Sequence, residues 1–137
     1  MKMFKLQNKV ELIVPQKDNN GVEIASFAIK NSVNDITKIC GGSTITEVKG
    51  QWWSEDENRI MEDDNLNIEW YYDKDMEDND KETLVIELGR IIDILIMEYD
   101  QEGVSIKLNN VLYIISMEDI DTLDEDYIKD ELYKLMF

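Results

Sequence analysis

The segment Glu82–Tyr99 places the strongest constraint on the fold of this chain. Apolar residues recur there at helical spacing, and further apolar residues widen the face until only Glu87, Arg90 and Asp93 stay polar. A helix this apolar must be covered on more than one side, so the rest of the chain has to supply a sheet and further helices. Gly89 lowers helix propensity by roughly 1 kcal/mol and predicts the close approach of a neighbouring backbone.

The flanking segments alternate between strand and helix patterns. Period-two alternation predicts strands, and apolar residues at spacings of three and four predict helices. Strands are predicted at 9–15, 44–49, 65–73, 104–108 and 111–115, and further helices at 22–40 and about 118–136. Gly41 and Gly42 end the first helix, and Asn109–Asn110 suit the positive φ angles of a tight hairpin turn. Residues 73–80 are predicted to be a polar loop.

This order predicts an α+β fold. Two split strand–helix–strand units form a ferredoxin-like βαββαβ antiparallel sheet, to which the chain adds an extra hairpin strand and a C-terminal helix. At 137 residues the chain has the length of one domain, so we expect a single domain over 1–137. Its core spans about 9–115, followed by an acidic C-terminal helix at about 118–136. The last strand, VLYII, is apolar on both faces and predicts a sheet covered on both sides there.

A short motif carries a resemblance to known proteins. The sequence GGSTITEVKGQW at 41–52 has a glycine- and threonine-containing turn into a strand, followed by Gly-x-Trp. With the second strand–helix–strand unit that ends in VSIKLNNVLYII, it resembles a group of short uncharacterised ferredoxin-like proteins. The resemblance covers roughly residues 9–115 and implies the fold. The group has no settled activity, so it implies no catalytic residues.

Negative charge dominates the composition. The chain has 31 acidic and 14 basic side chains, and residues 55–80 alone hold 12 acids and 2 bases. Such a surface repels nucleic acid and anionic membranes and attracts basic partners. The lone cysteine, Cys40, fits a reducing compartment, and no segment has the pattern of a signal peptide or a membrane span. We therefore expect a cytoplasmic protein with no direct nucleic-acid or membrane partner.

The residue types used most often in catalysis are scarce. The chain has no histidine, which removes the commonest general base and transition-metal ligand. The segment from Asp73 begins like a calcium loop, but Asp78 and Leu84 stand where such a loop needs glycine and glutamate. Carboxylates are too numerous for any one pair to stand out. The sequence therefore predicts no cofactor, no metal site and no enzymatic activity.

Tryptophans beside the acidic run are the candidate partner-binding site. Trp52 and Trp53 are adjacent, so in an extended segment they face opposite sides, and we expect one inside and one outside. Trp70 is expected to be a core residue. An exposed aromatic side chain surrounded by acids is typical of an interface hot spot. The predicted site is Trp52, Trp53, Glu55, Asp56, Glu57, Glu62, Asp63, Asp64, Asp75, Glu77 and Asp78.

Two functions follow from these patterns. The first is an acidic interaction protein that binds and blocks a basic, nucleic-acid-binding protein, in the manner of a phage or mobile-element anti-defence inhibitor, a DNA mimic or an immunity protein. The alternative is a self-associating or small-molecule-binding ferredoxin-like module, for which a homodimer is an option. A third option is an acidic globular protein whose charge only maintains solubility.

Overall fold

The computed structural model describes residues 3, 5–24, 26–120 and 126–137. The strands and helices, in chain order, are β1 Asn8–Pro15, α1 Phe27–Cys40, β2 Thr44–Ser54, β3 Arg59–Tyr72, α2 Asp78–Met97, β4 Gly103–Leu108, β5 Val111–Ser116, a 3₁₀ turn Met117–Asp119 and α3 Tyr127–Met136. The strands form one antiparallel sheet in the order β2-β3-β1-β4-β5. The predicted α+β fold with an antiparallel sheet and three helices is confirmed.

The apolar core lies on one face of the sheet. Val10 and Leu12 of β1 are fully buried, and their cross-strand partners Trp70, Ile68, Leu108 and Ile106 point to the same side. Helix α2 lies in this layer between α1 and α3, which explains why it is apolar round most of its circumference. Gly89 lies where α3 crosses it, but a Cβ there would be in ordinary contact, 3.7 Å from Ile128 Cγ2, so the packing does not require the glycine that the sequence led us to expect.

Buried polar bonds fix α1 within this layer. The indole N–H of Trp70 donates to Thr37 Oγ1 at 3.0 Å, and Trp70 is fully buried as predicted. On the α2 side, Ser32 of α1 is bonded to the buried Glu87. The polar strip of α2 is thus partly covered, because α1 packs over Glu87 and supplies a hydrogen-bond donor to it.

Three predicted boundaries differ from the structure. Helix α1 begins at Phe27, capped by Ser26 Oγ, which accepts from Ile29 N at 3.2 Å. Helix α2 begins at Asp78, inside the segment predicted as a polar loop, and the acids of its first turn favour the helix dipole. The C-terminal helix begins only at Tyr127, because Ser116 and Asp119 cap a separate 3₁₀ turn. The sequence Thr-Leu-Asp-Glu at 122–125 has the pattern of a capping box, and it lies outside the described residues.

The last strand is not covered on both sides. β5 forms one edge of the sheet, and Leu112 and Ile114 are exposed on the face opposite the helices. The apolar pattern of this strand therefore leaves an apolar strip without a covering element among the described residues. The predicted turn before it is confirmed, since Asn109 and Asn110 have φ angles of 50° and 68°.

Candidate functional site

A groove of about 610 Å³ lies between α1 and the β2 side of the sheet. It forms because β2 lies at the edge of the sheet beyond the reach of α1, so that Ile45 stays 54% exposed on the helix side. The buried side chains Val14, Ile29 and Ile68 line its inner part. The volume lies within the range of small-molecule sites.

Apolar and charged side chains alternate round the rim of the groove. On α1, Phe27, Lys30 and Asn34 follow one another at helical spacing, and Phe27 is 83% exposed. On β2, Ile45 and Glu47 are two residues apart and so share a face of the strand. The connection from β1 to α1 adds Gln16, Glu23 and Ile24. The rim therefore offers both charges and exposed apolar surface to a ligand.

The acidic run is a strand rather than a connector. The predicted strand at 44–49 continues to Ser54, and the acids at 62–64 belong to β3, where they pair with Lys49, Gly50 and Gln51. Acids have a low β-propensity, but cross-strand bonds offset it here: Gln51 Nε2 donates to Glu62 Oε1 at 2.9 Å. Since β1 pairs with β3 only as far as Asn65, residues 49–64 form a two-stranded ribbon, the hairpin arm.

Both tryptophans of the hairpin arm are exposed. Trp52 is 51% and Trp53 56% exposed, so the expectation of one inside and one outside is wrong. They point to opposite faces as predicted, but no helix among the described residues covers either face of the arm. Trp52 lies opposite Met61 and donates to Asp63 Oδ2 at 2.9 Å, while Trp53 lies opposite the exposed Ile60.

The predicted partner-binding residues fall into two separate groups. Glu55, Asp56 and Glu57 form the turn at the end of the hairpin arm, next to the strand acids Glu62, Asp63 and Asp64. Asp75, Glu77 and Asp78 lie at the other end of β3, at the start of α2. The 14 residues of β3 span about 45 Å. The structure thus brings the first two sets together with the tryptophans and leaves the third far away.

None of the described groups with a clearly altered pKa lines the groove: Cys40 and Tyr72 pack in or against the core, and the half-buried Asp93, whose pKa is raised by burial, lies near the contact of α2 with α3. Burial raises the pKa of Cys40 from 9.0 to about 11, so its thiol is protonated at neutral pH. Burial, and then the charge of a Cys40 thiolate, raise the pKa of Tyr72 to about 12. In the described parts of the chain, no three acidic or thiol side chains are placed to hold a metal ion. Over the same residues, no helix has both the length and the apolarity to cross a bilayer.

Comparison with known proteins gives a likeness of fold. No protein-family model matches the sequence, and no match was found among curated proteins. A solved structure of phage SAM lyase in complex with S-methyl-5'-thioadenosine is similar with a TM-score of 0.54 at 12% identity, over 88% of this chain and 98% of that chain. The apo form gives a TM-score of 0.53 at 16% identity, with the same coverage. These two comparisons show a shared fold.

A further solved structure, CutA1 from Pyrococcus horikoshii, is similar with a TM-score of 0.38 at 14% identity, over 90% of this chain and 96% of that chain. Two of the similar solved structures, both with TM-scores above 0.5, are of a phage protein. The predicted exclusion of enzymatic activity is wrong, because the same fold occurs in an enzyme, phage SAM lyase. The missing histidine excludes one means of catalysis but not the reactions that need no imidazole.

The groove could not be predicted from the sequence. Its charged rim residues Glu23, Lys30 and Glu47 lie on three different segments of the chain, and none belongs to a motif. The available signal was weak: Ile45 and Glu47 share one face of β2, and Phe27, Lys30 and Asn34 share one face of α1. Only the packing of α1 across the sheet shows that these two faces meet.

Proposed function

We propose that this chain is an enzyme of ferredoxin-like fold that binds S-adenosylmethionine (SAM) in the groove between α1 and β2 and cleaves it to S-methyl-5'-thioadenosine. The observation that carries the proposal is the groove itself, with its apolar inner part and charged rim. The likeness to a phage SAM lyase supports the choice of substrate, although one fold serves many activities and fold alone would not suffice.

The size and the apolar lining of the groove suit an adenosyl group. Val14, Ile29 and Ile68 offer buried apolar surface, and Phe27 and Ile45 offer exposed apolar side chains at the rim. An adenine ring placed among them would be desolvated on most of its surface, as ligands in such grooves are. Phe27 can stack on the ring, which adds to the affinity by about 1 kcal/mol.

The charge of the protein suits a cationic substrate. SAM carries a sulfonium, an ammonium and a carboxylate, so it is a net cation, and the chain has a formal charge of −17. A negative field raises the local concentration of such a ligand. Glu23 and Glu47 place two of these carboxylates at the rim of the groove.

The proposed cleavage needs no general base. An oxygen of the substrate's own carboxylate attacks its γ-carbon, the bond from that carbon to sulfur breaks, and the electron pair stays on sulfur. The products are the neutral thioether S-methyl-5'-thioadenosine and a homoserine lactone, so no water, proton acceptor or oxidant is consumed. Anion and cation neutralise each other along this path, and an apolar groove therefore favours the transition state over the charged substrate.

Chromatography of SAM incubated with the purified chain tests the proposal. We expect S-methyl-5'-thioadenosine to accumulate faster than in the protein-free solution. Ile45→Trp, which fills the groove, should lower the rate of product formation to that of the protein-free solution. The matched control is Ile114→Trp, an exposed isoleucine on the opposite face of the sheet, which should leave it unchanged. If wild-type protein forms no product and binds no SAM, the proposal is wrong.

Binding of a basic protein through the hairpin arm is a second candidate function. The observation that favours it is the exposure of Trp52, Trp53 and Ile60 on a ribbon that no helix covers. Six carboxylates surround them, against two cations, Lys49 and Arg59. Like charges would repel a second copy of this arm, whereas a basic surface with an apolar pocket would complement it.

Variants at the two ends of β3 test this second candidate. We expect the wild-type chain at low salt to capture a basic protein from a host lysate and to release that protein's bound nucleic acid at equal molarity. Glu62→Lys, Asp63→Lys and Asp64→Lys together should abolish the effect. The control carries Asp73→Lys, Asp75→Lys and Asp78→Lys at the far end. Equal loss in both, or no loss in either, would contradict a role for the arm.

Two further expectations stay predictions. One is the resemblance to the group of short ferredoxin-like proteins that share the Gly-x-Trp motif. The other is a homodimer, for which the exposed Leu112 and Ile114 on the uncovered sheet face would supply the apolar contact. Sedimentation at several concentrations measures the second: a mass that doubles with concentration in the wild type, and not in Ile114→Asp, would support it.

A further inference from the structure

Opposite charges stand on the two walls of the groove without forming an ion pair. Lys30 projects from α1 and Glu47 from β2, and both line the groove. Neither makes an ion pair or a side-chain hydrogen bond anywhere in the described part of the chain, and the same holds for Glu23. The groove therefore holds a cation and two carboxylates apart.

Several described lysines, Lys38 among them, have no carboxylate within 4.0 Å, and Lys30 is one of these. It is the one basic side chain among the described residues that line the groove. Lys30 lies in the same strongly negative field, yet the width of the groove separates it from the carboxylate on the facing wall. A ligand that fills this width can meet both charges at once.

We infer that Lys30 and Glu47 together recognise the amino-acid end of the ligand. Lys30 binds its α-carboxylate, and Glu47 binds its α-ammonium group. The inference rests on the proposed binding of SAM in this groove. An α-amino acid carries its ammonium and carboxylate groups on the same carbon, so it can bridge two walls that carry opposite charges. One carboxylate oxygen held by Lys30 leaves the other oxygen for attack on the γ-carbon.

This arrangement separates substrate from product. S-methyl-5'-thioadenosine retains the adenosyl group and the sulfur but lacks the amino-acid end. Its contacts are with the apolar lining, for which Phe27 and Ile45 provide exposed surface. Lys30 and Glu47 therefore contribute to the affinity for the substrate and not to that for the product, which favours product release.

Titration calorimetry with SAM and with S-methyl-5'-thioadenosine tests the inference. We expect Lys30→Gln and Glu47→Gln each to weaken the binding of SAM by about tenfold, as the loss of a charge-assisted hydrogen bond does. Both variants should bind S-methyl-5'-thioadenosine as the wild type does. Lys38→Gln, on the last turn of α1 and outside the groove, is the control and should change neither affinity.

The possible results distinguish a failure of SAM binding from a failure of the roles assigned to Lys30 and Glu47. If the wild type binds neither compound, the proposed function is wrong. If the wild type binds both but the variants lose affinity for both equally, or for neither, then SAM binding stands and the assignment of Lys30 and Glu47 is wrong. Lys30 and Glu47 are both exposed, and thermal unfolding of each variant checks that the fold is retained.

Discussion

Ser32 Oγ donates a 2.6 Å hydrogen bond to Glu87 Oε2, and this bond joins α1 to α2 in the interior of the helix layer. Ser32 is 1% and Glu87 6% exposed, and Arg90 Nη1 donates to the other carboxylate oxygen at 2.8 Å. The Glu87 carboxylate thus accepts hydrogen bonds both from α1 and from a cation of its own helix. Because α1 forms one wall of the groove, this bond also holds that wall in place.

Ser32→Ala tests the value of the bond. The variant leaves the buried carboxylate with Arg90 alone, and we expect the free energy of unfolding to fall by about 1–3 kcal/mol. Urea denaturation measures the change. The control is Ser43→Ala, an exposed serine in the loop after α1, which should change the stability by less than about 0.5 kcal/mol. Equal stability of the two variants would show that Glu87 does not depend on Ser32.

Tryptophan fluorescence and its quenching distinguish the buried Trp70 from the exposed Trp52 and Trp53. Trp52→Phe together with Trp53→Phe leaves Trp70, which is fully buried. We expect emission at shorter wavelength than in the wild type and a several-fold weaker response to acrylamide. The single variant Trp70→Phe should instead leave emission typical of exposed indole, provided that circular dichroism shows it folded. A double variant quenched as readily as the wild type would contradict the placement of the hairpin arm.

Two glycines respond in opposite ways to substitution by alanine. At Gly89 the new Cβ meets only an ordinary 3.7 Å contact with Ile128 Cγ2, so the gain in helix propensity should stabilise the protein by about 1 kcal/mol. At Gly41 the φ angle is 92°, which strains any L side chain, and alanine should destabilise by about 1 kcal/mol. Midpoints of thermal unfolding measure both. Loss of stability in Gly89→Ala would mean that α3 packs more tightly than described.

Stability should fall at alkaline pH because of Cys40. Its pKa is 9.0 unperturbed and about 11 in the folded chain. Between these values the unfolded chain releases a proton that the folded chain keeps, so the free energy of unfolding decreases as pH rises from 9 to 11. Urea denaturation across this range should show a shallower decrease for Cys40→Ala. Parallel curves for the two proteins would show that the thiol is not buried.

The elements with strong periodicity could be predicted from the sequence, and the site could not. Helix α2 and the fully buried Trp70 follow from apolar spacing, because burial on several sides leaves a pattern that local sequence reveals. The sequence allows a hairpin at the acidic segment but does not show how far its strands extend, because they depend on pairs such as Trp52 with Asp63, which only the register brings together. Lys30 and Glu47 come to line the same groove only when α1 packs across the sheet, and no local pattern encodes that arrangement.

Chemical-shift changes on addition of SAM to the ¹⁵N-labelled chain test the central claim most directly. The account predicts that backbone amides of Phe27, Lys30 and Ile45 shift and saturate together, while amides at the end of the hairpin arm, such as that of Asp56, stay in place. Saturating shifts confined to the hairpin arm or to the uncovered sheet face, or no shifts at millimolar SAM, would contradict it.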